Sequence, residues 1–258
     1  GNPTAATNIQ ESLSLLEDNA MTVSYEKFDL KEVINASGRM TILGVSKVSQ
    51  AVLAAQQYGG EHFFEMEDLS VKVGAYLAGL LKAEDAQVVS SASAGIAQSV
   101  AGVIGKGSLF HAYHPYAETI TQREIILPKG HNVDYGTPVE VMVQQGGGKV
   151  IEAGYANMCT PEHVEMLITE DTVALLYVKS HHTVQKSMLT VDEMVAVARK
   201  YDLPVIVDAA AEEDLFGYYA AGADLVIYSG AKAIEGPSAG LVVGKKSAVE
   251  WVRLQGKG

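Results

Sequence analysis

Seven short apolar runs punctuate the chain: Gln87–Ser90, Glu124–Leu127, Lys149–Glu152, Thr172–Val178, Pro204–Asp208, Asp224–Tyr228 and Gly240–Val243. Each is continuous rather than alternating, rich in Val, Ile and Leu, and of strand length. Strands read this way when helices cover both faces of their sheet. Helix signals stand between the runs. Thr160 precedes Pro161 and Glu162, an N-cap followed by a first-turn proline and an acid. Thr190 and Glu193 form a capping box ahead of the periodic stretch that ends at Lys200. The alternation predicts an α/β fold: a mostly parallel, doubly wound, seven-stranded sheet with helices on both faces. Eleven residues separate Tyr228 from Gly240, too few for a helical crossover. The last strand is therefore expected to be antiparallel, at or near an edge. Residues 1–31 read as an arm outside the sheet, and 32–246 as the main domain.

Composition narrows the class. The chain has 258 residues, 48% hydrophobic and 19% charged, which excludes a disordered tail and a disulfide scaffold. The net charge is −12 with scattered basic residues, so no nucleic-acid partner is expected. Cys159 is the single cysteine and fits a reducing compartment. The first residues are polar and acidic, unlike a signal peptide. The uncharged stretch Val88–Gly105 carries several serines and Gln98, and reads as a strand entering a helix rather than a membrane span. A cytoplasmic protein with no membrane partner is the expectation.

Four strand ends carry candidate chemistry, where open α/β sheets place their ligands. Small residues at Ser91, Ala92, Ser93 and Ala94 would let helix N–H groups approach an anion. Tight packing at a strand–helix turn explains them as well. Asp208 follows four apolar residues, and a buried carboxylate needs a proton donor or a cation. A metal, an N-cap or a cofactor would each satisfy it. Lys232 lies among small residues in Ser229–Pro237, where partial desolvation makes a lysine amine a usable nucleophile. His131, in PKGHNVDYG, offers a flat ring for stacking, although a backbone-bonded turn histidine is nearly as good a reading. Anion cradle, buried acid, lysine and planar ring are together the set that holds pyridoxal 5'-phosphate.

These motifs, with Val33–Gly38 (VINASG), VVSSASAG, PVIVDAA and YSGAKAIEGPSAG, resemble the selenocysteine-synthase-like group of fold-type I pyridoxal-phosphate enzymes. The resemblance spans Glu32 to the C-terminus. Within the group the HNVDYG and SGAK stretches are most similar to the D-glucosaminate-6-phosphate ammonia-lyases. It implies Lys232 as the lysine bonded to the cofactor aldehyde and Asp208 as the partner of the pyridine nitrogen. It also implies ring stacking by His131, phosphate contacts from residues 91–94, a further hydroxyl at Ser229, and no metal. Selenium transfer to charged tRNA is disfavoured. The bacterial enzyme has an acid where His131 stands, and a substantial tRNA-binding domain precedes its asparagine motif, whereas only 34 residues precede Asn35 here.

The implied chemistry is lyase chemistry on an amino sugar acid. The freed Lys232, or a neighbouring group, serves as the base that takes the α-proton, the β-hydroxyl leaves, and hydrolysis gives a 2-keto acid and ammonia. Arg39, His181 and His182 are candidates for a substrate phosphate, and a solvent-facing turn accounts for the histidine pair equally well. Gly59–Glu65 is expected, by family analogy, to reach a partner subunit's site in a homodimer or larger homo-oligomer. Fold-type I enzymes continue into a small C-terminal domain. Residues 247–258 therefore read as the start of a connection, and the 258 residues as the cofactor-binding part of a longer protein. A selenium or sulfur transferase and a catalytically silent scaffold of the same fold are the alternatives. A dinucleotide-binding protein is disfavoured by the missing GxGxxG.

Overall fold

The computed structural model of the chain describes residues 9–14 and 25–257. It divides into two units, Gly1–Gly38 and Arg39–Gly258. In the first unit residues 9–14 are helical (α1). Asn35 there closes an Asx turn, accepting from the Ser37 N–H at 2.9 Å and donating to the Gly38 carbonyl at 2.6 Å. Gly38 supplies the left-handed φ of +84° that this turn requires. The division falls beyond residue 31, the end expected for the arm.

The second unit begins with α2 (Gln50–Gly60), α3 (Met66–Leu81), β1 (Asp85–Val89), α4 (Ala92–Gly105), α5 (Leu109–Tyr113) and β2 (Glu124–Pro128). It continues through α6 (Val139–Gln145), β3 (Lys149–Ala153), α7 (Pro161–Glu165), β4 (Thr172–Val178), α8 (Val191–Lys200) and β5 (Val205–Asp208). The final elements are α9 (Gly217–Ala220), β6 (Leu225–Ser229), β7 (Gly240–Gly244) and α10 (Lys246–Gln255). All seven expected strands join one sheet of order β1-β7-β6-β5-β4-β2-β3. β7 is antiparallel to both β1 and β6, and sits one place in from the β1 edge. The other pairs are parallel.

Alternate residues of each strand feed opposite layers. Leu175, Tyr177, Val205, Val207 and Val226 pack with Met194 and Ala198 of α8 on one face. Leu176, Val178, Ile206 and Ile227 pack with Ile96 and Val100 of α4 and Met142 of α6 on the other. Every residue of β4 is buried, which explains its unbroken apolar run. Both expected helix starts close as capping boxes, Thr190 with Glu193 and Thr160 with His163 in the acid's place. Among the described residues no helix is long and apolar enough to cross a membrane.

The stretch 247–258, read as the start of a connection, overlaps α10 (Lys246–Gln255), which packs on α4. Gly102 allows the approach, since a Cβ there would stand 3.2 Å from the Val252 nitrogen. Arg253 ties the helix to the sheet edge through Asp85 (3.1 and 3.2 Å), the Ala86 carbonyl and Gln87. The pair is largely enclosed, so removing the guanidinium strands a buried carboxylate. Arg253→Ala is expected to cost about 3 kcal/mol in urea unfolding.

Candidate active site

Strand register brings distant stretches of chain to one end of the sheet. Asp208 ends β5 opposite Ile227 of β6. Ser229 pairs with Gly240, and Gly240 pairs on its other side with Val89. The turns after β1 and β6 therefore meet beside Asp208 at the carboxyl ends of the parallel strands. On the far side of β5, Val178 of β4 pairs with Asp208, which carries the Lys179–His182 turn to the same place. A cavity of about 490 Å³ opens there, within the usual size of a small-molecule site. Asp208, Lys232, Tyr135, Lys179, Arg39 and the pair His181–His182 line it.

Asp208 is 3% exposed. Its Oδ1 accepts the Ala210 N–H at 3.1 Å and its Oδ2 accepts the Tyr135 hydroxyl at 3.4 Å. Burial pushes its carboxyl up to about 6, against the opposing pull of both bonds and of the Lys232 charge. An acid in this position accepts a protonated partner readily, because a cation relieves the desolvation that strains its charged form.

Lys232 is half-buried in a turn that glycine makes possible. Gly230 donates to the Ala239 carbonyl and Gly236 to the Gly230 carbonyl, each at 2.7 Å. A Cβ on Gly230 would stand 2.9 Å from the Pro237 carbonyl oxygen. Ser46 donates to the Ala231 carbonyl at 2.9 Å and Arg39 pairs with Glu235 at 3.0 Å, which brings the 39–46 segment to the cavity's rim.

The turn after β1 leads directly into the start of α4. Ser91 caps α4, its Oγ accepting the Ala94 N–H at 3.0 Å. The first-turn N–H groups of Ala92 and Ser93 are left for an outside acceptor. Gly240 backs this turn, where a Cβ would run into the Ser91 carbonyl. Ser229, across from Gly240, donates its N–H to the Ala210 carbonyl at 3.1 Å.

His131 stands apart from the cavity lining. It is fully buried at the end of a short 3-10 turn, with Nδ1 accepting the Val178 N–H at 3.2 Å. Its ring meets Tyr177 edge-on, centroids 4.6 Å apart, and its buried Nε2 has no partner among the described residues. Burial, with Lys179 second, holds its imidazole down to about 4, so the ring is neutral. From the same stretch it is Tyr135, four residues on, that lines the cavity. Desolvation, then the Asp208 charge, pushes its phenol above the ordinary value. Tyr135 and Lys179 are among the lining residues that the motif reading passed over.

The residues fit a phosphorylated pyridine aldehyde: an amine, a buried acid and a helix start cleared by glycine share one end of the sheet. Around them Arg39 and Lys179 set a cationic wall, beside the His181–His182 pair, whose rings lie 4.0 Å apart. In a chain of net charge −12 that concentration of cations favours an anionic ligand.

Comparison with known proteins agrees with this architecture. Residues 68–256 match the family model described as SelA, L-seryl-tRNA selenium transferase. The chain is 46% identical over 234 residues to a D-glucosaminate-6-phosphate ammonia lyase of Salmonella typhimurium, covering 91% of this chain and 63% of that protein. It is 36% identical over 239 residues to a 5'-C-glycyluridine monooxygenase-decarboxylase of a Streptomyces species, covering 92% and 60%. The chain thus spans under two thirds of the length of either relative. A solved structure of D-glucosaminate-6-phosphate ammonia-lyase superposes with a TM-score of 0.87 at 46% identity, over 91% of this chain and 64% of that one. The chain belongs to the L-seryl-tRNA selenium transferase (SelA) family, a pyridoxal-phosphate-dependent group, and its seven-stranded sheet is the fold-type I large domain.

Proposed function

We propose that the protein is a pyridoxal-phosphate-dependent ammonia-lyase that converts a phosphorylated amino sugar acid such as D-glucosaminate 6-phosphate to a 2-keto acid and ammonia. The observation that carries this reading is one cavity that joins Lys232 and Asp208 to a cationic wall. The 46% identity to a lyase of that name supports the substrate.

Each residue has a stated task. Lys232 holds the cofactor aldehyde through Nζ, and the same Nζ, once freed, takes the substrate's α-proton. Asp208 holds the proton on the pyridine nitrogen. The Ala92 and Ser93 N–H groups, with the hydroxyls of Ser91 and Ser229, bind the cofactor phosphate. When bound, the cofactor supplies an electron sink for the carbanion charge left at the α-carbon. Arg39, Lys179, His181 and His182 bind the substrate's carboxylate and phosphate. Loss of the β-hydroxyl followed by hydrolysis of the resulting enamine releases ammonia and the 2-keto acid. In this reading His131 acts from beneath, bracing the end of β4.

The protein is read as a cytoplasmic homodimer or larger homo-oligomer. α2 buries none of its residues, and its Leu53 and the Phe63 and Phe64 that follow it are exposed, an apolar surface that a partner subunit would cover.

Incubation with pyridoxal phosphate and D-glucosaminate 6-phosphate is expected to release ammonia and 2-keto acid in equal amounts. Selenium transfer without ammonia release would instead support the transferase reading. Replacing His181 and His182 together by glutamine should raise KM for the phosphorylated substrate about tenfold and leave the dephosphorylated substrate nearly unaffected. Equal loss on both substrates would remove the pair from phosphate binding.

A further inference from the structure

Asp208 is an awkward group to keep charged. It is buried, one oxygen is committed to the Ala210 N–H, and the other faces the cavity. Among the described residues the Oδ2 atom has one side-chain donor, the Tyr135 hydroxyl at 3.4 Å. Tyr135 is held in place by its own loop. Asp134 accepts the Gly136 N–H at 2.9 Å, Asp134 and Pro138 form an isolated bridge, and Gly136 takes a φ of +115°. On the cavity side the Tyr135 ring lies near-parallel to His182, centroids 6.5 Å apart. The phenol therefore stands between the acid end of the cavity and the cationic wall. Nothing else in the loop needs a hydroxyl there: its further contact is a 3.8 Å approach to the Met142 sulfur.

We propose that Tyr135 is a positioning residue for Asp208, its hydroxyl holding the carboxylate ionised and aimed at the pyridine nitrogen. The link to the nitrogen rests on the function proposed above; the link to Asp208 does not. A donor to the charged form of an acid favours that form, and the favour is larger where water is excluded. The Oδ2 atom keeps a second lone pair, so the phenol and a protonated ring nitrogen have room on one carboxylate. The other charged or titratable side chains that line the cavity with Asp208 are Lys232, Lys179, Arg39, His181 and His182. All of these stay in place when a single oxygen is removed from Tyr135, so a Phe variant isolates the bond.

The experiment uses Tyr135→Phe, wild type and Asp208→Asn, each before and after loading with pyridoxal phosphate. In the cofactor-free proteins the pH dependence of unfolding reads the titration of Asp208, with Asp208→Asn as the blank. Tyr135→Phe is expected to fold normally and to shift the Asp208 titration to higher pH. Its affinity for pyridoxal phosphate, read from the visible band, should fall about threefold to tenfold, the size expected of a long bond to a charged group. The deficit should widen as pH falls toward the shifted titration. An Asp208 titration equal to wild type in Tyr135→Phe overturns the proposal. If Asp208→Asn binds the cofactor as tightly as wild type, the assignment of Asp208 to the ring nitrogen falls, while the titration still decides the role of Tyr135.

Discussion

Lys232→Ala is expected to abolish the covalent attachment of pyridoxal phosphate and to lower turnover by about 10³-fold or more. Two roles meet in one amine, which is why the effect is large. Nζ holds the aldehyde and later serves as base at the α-carbon, so the variant loses both the anchor and the proton acceptor. The loss is chemical rather than structural. Lys232 is half-buried in a turn whose shape is set by backbone bonds at Gly230, Gly236 and Glu235, none of which involves its side chain. Unfolding curves of the cofactor-free variant should therefore match wild type closely. The purified wild type should show a visible absorption band that borohydride removes, and the variant should lack it. An exogenous primary amine should restore part of the base function and none of the attachment.

Asp208→Asn is expected to move activity and stability in opposite directions. Activity falls by about 10²- to 10³-fold because a neutral amide no longer holds the proton on the ring nitrogen. Stability of the cofactor-free protein rises at neutral pH. Burial lifts the carboxyl from 3.8 to about 6, so between these values the folded protein holds a proton that the unfolded chain has released. Wild-type stability thus declines as pH rises from about 4 to about 6, by roughly 3 kcal/mol in total. Asp208→Asn lacks this decline, so the two proteins should converge below pH 4 and diverge to that extent above pH 6. Loading with pyridoxal phosphate should stabilise wild type more than the variant, since a cation then meets the buried charge. Denaturant midpoints at a series of pH values read all of this.

The sheet was legible in the sequence because both of its faces are buried. A strand such as β4, with all seven residues enclosed, has no polar position to disguise it. The reversal of β7 followed from chain length alone, since eleven residues fit the Ser229–Ala239 turn but no crossover helix. Asp208 ends one apolar run and Lys232 follows another by four residues, positions that lead to the ligand end of the sheet, where both line the cavity.

The place of Tyr135 in the cavity lining was not legible. His131 and Tyr135 share one turn-rich stretch, and which ring faces the cavity depends on the 3-10 turn at Lys129–His131 and on the bridge from Asp134 to Pro138. Such geometry leaves no periodic trace. Lys179 was missed because a lysine before Ser-His-His reads as solvated. Its place follows from the pairing of Val178 with Asp208, a long-range register that no local pattern encodes.

Mapping the reduced adduct tests the central assignment most directly. Wild-type protein incubated with pyridoxal phosphate, treated with borohydride and digested should carry one pyridoxyl group, on the peptide that contains Lys232. Lys179 lines the same cavity and is the internal competitor. A label on Lys179, or no label on any lysine, would contradict the account.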